Sequence, residues 1–269
     1  MAIVTFSREA HSGTQDLARL LAQRLGYRYV ARDALTLALA DVSGAAGVAQ
    51  GSDTEGRPLS FWEQWRGNAA RQRAVLTVVV AELAVGDGVV LVGHGAGQIV
   101  TPLRSALRVF VVDTPARRAR RLVDEGMDPS RARRAVADED RVSASYLRYL
   151  FGIDWRDPHH WDVVLNMARL DVGRAVELIA HDAASLTRDT DDQRRLDQLR
   201  LQARLELALH DDADLGVERV RVTLTEDRVL VEGDALAPED RLRAEATVAR
   251  LAPGLTIDNR MVVRPRALV

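Results

Sequence analysis

The first residues able to do chemistry form a turn between a short strand and a helix. Residues 3–6 are β-branched and aromatic, and the apolar spacing of a helix begins after Gln15. A strand, a turn of small residues and a helix N-terminus together present main-chain N–H groups and the positive end of a helix dipole. The turn is therefore predicted to bind a phosphate group, at His11, Ser12, Gly13, Thr14, Gln15 and Asp16.

The turn lacks the lysine of the P-loop motif. In that motif a lysine directly follows the second glycine and reaches the β- and γ-phosphates. Here Thr14 follows Gly13, and the 37 basic residues of the chain are all arginine. Any positive charge on a phosphate must therefore come from arginine. The local alternative is an ordinary strand-to-helix turn, capped by the side chain of Ser12 or Thr14.

Arginine is concentrated in the middle of the chain. Residues 117–134 carry seven arginines against three acidic residues. Arginine suits phosphate because its planar guanidinium group binds two oxygens at once. Arg141 and Arg148 are separated by two helical turns and share one helix face. The alternative is a solvated helix face whose arginines pair with the acids at 138–140.

The composition limits the class of protein. A length of 269 residues, with 47% hydrophobic and 28% charged residues, fits one large or two ordinary soluble domains. The net charge of -2 argues against a nucleic-acid partner. The absence of cysteine excludes disulfides and thiolate metal sites, and no metal site is predicted. No apolar stretch approaches ~18 residues and no signal-peptide pattern is present, so the expected location is the cytoplasm.

Apolar runs that alternate with helical patterns predict an α/β fold with a parallel sheet and flanking helices. Strands are predicted at residues 3–6, 27–30, 89–92, 107–112 and 163–166, helices at 34–40, 61–85 and 131–149, and a flexible loop at 44–58. The polar residues 184–194 are predicted to be a linker. A small α+β unit of order α-β-β-α-β is predicted to follow, with a helix at 196–209, hairpin strands at 220–224 and 229–231, a helix from Pro238 and a closing strand at 256–263.

Residues 3–180 resemble the cytidylate kinase-like family, relatives of the P-loop nucleoside monophosphate kinases. The resemblance lies in short motifs that occur in order along the chain: Ser7-Arg8-Glu9, Ser12-Gly13, Leu25-Gly26, Val92-Gly93, Arg108-Val109-Phe110, Tyr146, Arg148-Tyr149, Phe151-Gly152, Trp155, Asp157-Pro158, Asp162, Leu165-Asn166 and Arg169-Leu170. It implies a P-loop kinase-like domain over residues 1–183. It also implies phosphoryl transfer from ATP, with Mg²⁺, to a pyrimidine nucleoside monophosphate or a similar small acceptor.

The resemblance implies roles for single residues as well. Arg141 and Arg148 correspond to lid arginines that close over the donor phosphates, and they are the candidate catalytic residues. Arg32 and His94 fall where the family contacts the acceptor monophosphate. The candidate substrate-binding residues are Arg8, Arg32, His94, Asn166 and Arg169, of which the last two end a strand at the carboxyl edge of the predicted sheet.

Three departures from the family pattern affect charged residues. Residues 13–15 read Gly-Thr-Gln in place of Gly-Gly-Arg, Ala31 replaces an aspartate, and residues 93–97 read Gly-His-Gly-Ala-Gly in place of Gly-Arg-Gly-x-Asp. His94 matches the charge of an arginine only when protonated; the alternative is a turn residue at a strand end. These departures concern catalysis more than fold. The function is therefore an active kinase, a catalytically dead nucleotide sensor, or a scaffold.

Residues 196–264 resemble a BON domain. The resemblance rests on the order of elements, on Val231-Glu232-Gly233 and on Asp258-Asn259. It implies that residues 195–269 attach the chain to a phospholipid surface or to a protein partner. The unit is not basic, so simple electrostatic adsorption to a membrane is expected to be weak.

Overall fold

Two β-sheets organise the residues that a computed structural model describes, namely 1–43, 68–86 and 88–265. The first sheet and its helices comprise β1 (Ile3–Arg8), α1 (Thr14–Leu25), β2 (Arg28–Val30), α2 (Arg32–Val42), α3 (Ala69–Ala84), β3 (Val89–Val92), α4 (Ala96–Ile99), β4 (Ala106–Val112), α5 (Pro115–Asp124), α6 (Pro129–Phe151), β5 (Val163–Asn166) and α7 (Val172–Ser185). The second part comprises α8 (Thr190–Asp211), β6 (Val217–Leu224), β7 (Arg228–Ala235), α9 (Pro238–Leu251), β8 (Thr256–Asn259) and β9 (Val262–Val263).

The first sheet has five parallel strands in the order β2-β3-β1-β4-β5, which confirms the predicted α/β class. Its central strands are continuous apolar runs because helices cover both faces of the sheet. One face packs against α1 and α7 through side chains such as Leu17 and Ile179. The other face packs against α2 and α3 through Leu39 and Val80.

The strand order gathers the ends of β3, β1 and β4 at one edge of the sheet. The chain leaves β1 towards α1 on one face, and it leaves β3 towards α4 on the other. In open parallel sheets the ligand crevice lies where neighbouring connections leave in opposite directions. This edge therefore brings together the loops at residues 9–13 and 93–95.

The observed elements follow the sequence pattern with small shifts. The strands predicted at 89–92 and 163–166 are confirmed, and β1 continues two residues further than predicted, through Ser7 and Arg8. The helix predicted over 61–85 is α3 where it is described; residues 61–67, and the loop predicted at 44–58, lie outside the described residues. In the described parts, no helix is both long and apolar enough to cross a membrane.

The second sheet has the predicted order of helix, hairpin, helix and closing strand. β6 and β7 are antiparallel, whereas β8 and β9 both run parallel to β7. The closing strand predicted over 256–263 is thus split in two. Its core packs Leu209, Val222, Val231 and Val248, which are fully buried.

Helix α8 belongs to both parts of the chain. Leu196 packs in the core of the first sheet, whereas Leu205 and Leu209 pack in the core of the second. The stretch 184–194, predicted to be a linker, is helical at both ends, because α7 extends to Ser185 and α8 begins at Thr190.

The start of α8 is fixed to the first sheet by Asp192. Its carboxylate accepts hydrogen bonds from the main-chain N–H groups of Arg104 and Ser105, at 2.7 and 2.9 Å. The carbonyl of Ser105 in turn accepts from the N–H of Ile3, at 2.8 Å, where β1 begins. Asp192, which the sequence pattern places in a linker, is therefore buried and anchors the start of α8 to the first sheet.

Candidate functional site

The predicted phosphate-binding turn leads from β1 into α1 and is bent by two residues with left-handed backbone. His11 has a φ of 58°, and Gly13, the N-cap of α1, has a φ of 81°. No side chain caps α1, so the alternative of a turn capped by Ser12 or Thr14 is wrong. The main-chain N–H groups of the first helical turn have no acceptor within the helix and can donate to an anion.

The hydroxyl groups of the turn face inward. Ser12 Oγ and Thr14 Oγ1 lie 2.7 Å apart, and each residue is 1% exposed. Thr14, which occupies the position of the P-loop lysine, therefore points into the protein. Gln15 and Asp16 are exposed, and Asp16 pairs with Arg19 at 2.7 Å on the helix surface.

Three predicted substrate-binding residues, Arg8, Arg32 and His94, line one pocket at the ends of β1 and β3. We call it the arginine pocket; Tyr146 and Trp155 also line it, and its volume is about 70 Å³. That volume has room for roughly five water molecules, which is enough for a phosphate group.

Two positive charges meet in the arginine pocket. Burial, followed by the nearby charge of Arg32, lowers the pKa of Arg8 to about 10, while Glu139 and Asp140 act in the opposite direction. In the described residues, neither Arg8 nor Arg32 makes a side-chain hydrogen bond or a close ion pair. Two like charges in a half-buried pocket repel each other, and a bound anion relieves that repulsion.

His94 is buried and neutral. Burial, followed by the charge of Arg32, lowers the pKa of His94 to about 3. Its Nε2 lies 2.9 Å from Thr36 Oγ1 and 3.3 Å from the carbonyl oxygen of Arg32, and its own carbonyl accepts from Tyr146 at 3.1 Å. His94 therefore cannot replace the charge of an arginine at a phosphate. Its contacts match the alternative of a turn residue at a strand end.

Glu139, on α6, connects the turn to the arginine pocket. Its Oε1 lies 2.9 Å from Nε2 of His11. That hydrogen bond is the largest cause that lowers the pKa of Glu139, and the charges of Arg8 and Arg32 add to it. The carboxylate of Glu139 therefore offsets part of the positive charge that Arg8 and Arg32 present to an anion.

A buried network fixes the start of the turn. Arg118, on α5, is 1% exposed and donates to both carboxylate oxygens of Asp140, at 2.9 and 2.8 Å. The same guanidinium donates to the carbonyl oxygens of Ala10 and Asp113, at 3.1 and 3.2 Å. Asp140 also accepts from the N–H of Ala10, at 3.3 Å. The turn, α5 and α6 are therefore held together as one unit.

Sequence reasoning did not single out Arg118 or Arg121 from the run of arginines. Arg121 lies over the turn, where its Nη1 donates to the carbonyl oxygen of His11 at 2.7 Å. The spacing after β4 could have indicated them, because Arg117 and Arg121 are one helical turn apart and follow Asp113 closely in sequence. In the structure both arginines pair with Asp113.

The two predicted catalytic arginines lie elsewhere. Arg141 and Arg148 line a cleft of about 530 Å³ between α5 and α6, together with Arg133 and Arg156. Arg141 is mostly exposed and its Nη2 donates to Asp138 at 2.9 Å, as the alternative of a solvated, paired helix face expects. Neither arginine lines the arginine pocket.

Asn166 is the last residue of β5, the outer strand of the sheet, and Arg169 lies three residues further along the chain. Both are exposed, and the side-chain oxygen of Asn166 accepts from the N–H of Ala168 at 3.0 Å, which closes a turn. Neither residue lines the arginine pocket or the α5–α6 cleft. The structure therefore does not bring them to the other candidate residues.

The residues around the turn do not form a magnesium site of their own. Mg²⁺ is usually held by one or two carboxylates together with substrate phosphates. Asp16 is paired with Arg19, and Asp113 with Arg117 and Arg121. Among the residues that the structure describes, no group of three acidic or histidine side chains is arranged to hold a metal.

A family model that matches more than half of the chain shows the family to which the chain belongs. The chain belongs to the cytidylate kinase-like family, whose model matches residues 3–169, and that span runs from β1 beyond β5. A crystal structure of an uncharacterized protein from Eubacterium ventriosum ATCC 27560 has the same fold, with a TM-score of 0.54 at 19% identity. The match covers 68% of this chain and 98% of that one. The first part of the chain therefore has a kinase-like fold.

Two further solved structures are similar over a comparable share of this chain. Shikimate kinase from Bacteroides thetaiotaomicron has 13% identity and a TM-score of 0.42, with 68% of this chain and 98% of that one covered. A gluconokinase from Sinorhizobium meliloti 1021 has 16% identity and a TM-score of 0.42, with 69% and 93% covered. The chain matches no curated protein.

Proposed function

We propose that the chain is a kinase that binds the phosphates of ATP at residues 11–16 and a small anionic acceptor in the arginine pocket. The reaction is phosphoryl transfer to a nucleoside monophosphate of the cytidylate type, or to a similar small acceptor, in the cytoplasm. Membership of the cytidylate kinase-like family supports nucleotide binding, and Mg²⁺ would arrive with the nucleotide.

The pair Arg8 and Arg32 carries the proposal. Phosphoryl transfer depends mainly on positioning and on electrostatic stabilisation of charged oxygens. The two guanidinium groups face one small pocket beside the turn, without a close carboxylate partner in the described residues. Such a pocket favours an acceptor that carries a phosphate group.

A catalytically dead nucleotide sensor is the second candidate, and two observations favour it. His94 is neutral, and Thr14 points away from the open side of the turn. Loss of one preorganised donor to a developing charge costs about 2.7–4 kcal/mol of transition-state stabilisation. Nucleotide binding can persist under that loss while turnover does not.

We also propose that residues 195–269 form a BON-like attachment module for a phospholipid surface or a protein partner. The order of its elements and its mixed sheet support the proposal. The test is co-sedimentation of the full chain with vesicles of phosphatidylglycerol and phosphatidylcholine. Absence of the chain from the pellet contradicts the lipid role.

A coupled assay of ADP formation separates the two candidate functions. The full chain is incubated with ATP and magnesium, and with CMP, dCMP or UMP as acceptor. An active kinase forms ADP with one of these acceptors, loses that activity in Arg32→Gln, and keeps it in Arg24→Gln, an exposed arginine that pairs with Glu177. A nucleotide-dependent rise in melting temperature without ADP supports the sensor. If the chain shows neither ADP formation nor a rise in melting temperature, both candidate functions are contradicted.

A further inference from the structure

The P-loop lysine has no counterpart at its own position. Thr14 is 1% exposed and its hydroxyl is hydrogen-bonded to that of Ser12, so this position cannot present a charge to a ligand. The chain contains no lysine that could do so from elsewhere. A cation above the turn must therefore be an arginine from another element.

Arg121, on α5, lies directly over the turn. Its guanidinium carbon and Nη2 are both 3.6 Å from the position that a Cβ atom on Gly13 would occupy. Nη1 donates to the carbonyl oxygen of His11 at 2.7 Å and pairs with Asp113 Oδ2 at 2.9 Å. The side chain of Asp113 is fully buried, so it holds the guanidinium in place from below.

Arg121 keeps donors available after these contacts. An arginine has five N–H donors in a rigid fork. In the part of the chain that the structure describes, the contacts of Arg121 use Nη1, and neither Nε nor Nη2 has an acceptor. The side chain is one-third exposed, so these donors can reach a ligand from solvent.

The other arginines of α5 do not have this combination. Arg118 is buried and is committed to Asp140. Arg117 pairs with Asp113 and donates to the carbonyl of Met167. Arg120 points to solvent and pairs with Asp124.

We propose that Arg121 supplies, from α5, the positive charge over the phosphate-binding turn that a lysine supplies in the P-loop motif. Its Nε and Nη2 donate to phosphate oxygens of the bound nucleotide, while Asp113 and the carbonyl of His11 position the guanidinium. This inference rests on the proposed function, since it assumes that the turn binds a nucleotide.

The test compares Arg121→Gln with Arg120→Gln, the exposed neighbour on the same helix. Titration calorimetry of each full-length variant with ATP, AMP and inorganic tripolyphosphate measures the three affinities. Charge-assisted hydrogen bonds predict that Arg121→Gln weakens ATP and tripolyphosphate binding about tenfold or more. The affinity of AMP is expected to change much less, and Arg120→Gln is expected to bind all three ligands like the wild type.

Arg121→Lys keeps the positive charge and therefore separates the effect of lost charge from a purely structural effect of the substitution. It is expected to retain more ATP affinity than Arg121→Gln at an equal melting temperature. Equal ATP affinities for Arg121→Gln and Arg120→Gln overturn the inference, and so do equal losses in the Lys and Gln variants. If the wild-type chain binds neither ATP nor tripolyphosphate, the proposed function itself fails, which is a different result.

Discussion

Arg118 and Asp140 form a bidentate ion pair beneath the turn, with nitrogen–oxygen distances of 2.9 and 2.8 Å. Arg118 is 1% exposed, and Asp140 also accepts from the N–H of Ala10, where the turn begins. The pair therefore couples the position of the turn to α5 and α6, the helices that carry most of the nearby arginines.

Asp140→Asn is expected to lower the free energy of unfolding by about 3 kcal/mol, because it leaves the charge of Arg118 buried without its main partner. Urea denaturation measures the change. Asp124→Asn is the control, because it breaks an exposed pair with Arg120 and is expected to cost less than about 1 kcal/mol. Equal losses in the two variants would contradict the structural role of the buried pair.

Glu139→Gln is expected to tighten phosphate binding in the arginine pocket. The substitution removes a negative charge that acts on Arg8 and Arg32 and keeps the size of the side chain. We expect a gain of roughly threefold to tenfold in the affinity of inorganic phosphate, measured by calorimetry. Asp138→Asn, at an exposed neighbour paired with Arg141, is expected to leave that affinity unchanged. A weaker affinity in Glu139→Gln would show that the carboxylate helps the anion.

The buried His94 predicts a pH-dependent stability. Its folded-state pKa of about 3 is below the ordinary value of 6.5, so the unfolded chain binds the extra proton between these values. The wild type therefore loses stability as the pH falls below 6.5. The loss between pH 7 and pH 5 is expected to be about 2 kcal/mol larger than in His94→Gln. Urea denaturation at both pH values checks this, and identical losses would place a protonated histidine in the folded protein.

The anchor of α8 predicts a local cost for Asp192→Asn. Burial alone would raise the pKa of Asp192, but hydrogen bonds from Ser105 and Arg104 outweigh burial and lower it. The carboxylate therefore stabilises the fold above its ordinary pKa of 3.8, and that contribution is lost as the pH falls through the folded-state pKa.

At neutral pH the substitution is expected to cost about 1–3 kcal/mol of unfolding free energy. The neighbouring Asp191→Asn breaks an exposed pair with Arg194 and serves as the control. If both variants unfold at the same urea concentration, residues 184–194 behave as a linker after all.

The strand-turn-helix pattern predicted the position of the turn because its signals are local. Residues 3–6 are the β-branched and aromatic types that favour a strand, and Gly13 takes a backbone conformation that favours glycine. The meeting of Arg8 and Arg32 is not local. It depends on the strand order β2-β3-β1, because Arg8 ends β1 and Arg32 begins α2 just after β2.

The arginines of α5 show what the pattern of residues could not reveal. Arg117, Arg118, Arg120 and Arg121 have side-chain exposures of 54%, 1%, 75% and 34%. The same residue type thus forms an exposed ion pair at Arg117, a buried structural ion pair at Arg118, a solvent-exposed ion pair at Arg120 and a candidate ligand contact at Arg121. The rotation of the helix decides among these environments, and packing against α6 fixes that rotation through apolar side chains such as Leu122.

Binding of ATP to the wild-type full-length chain tests the central claim most directly. Titration calorimetry in the presence of magnesium is predicted to show saturable binding at one site per chain, weakened when the turn is distorted by Gly13→Val. A titration without heat and without saturation, repeated at a second temperature to exclude a vanishing enthalpy, would contradict the claim that residues 11–16 bind a nucleotide.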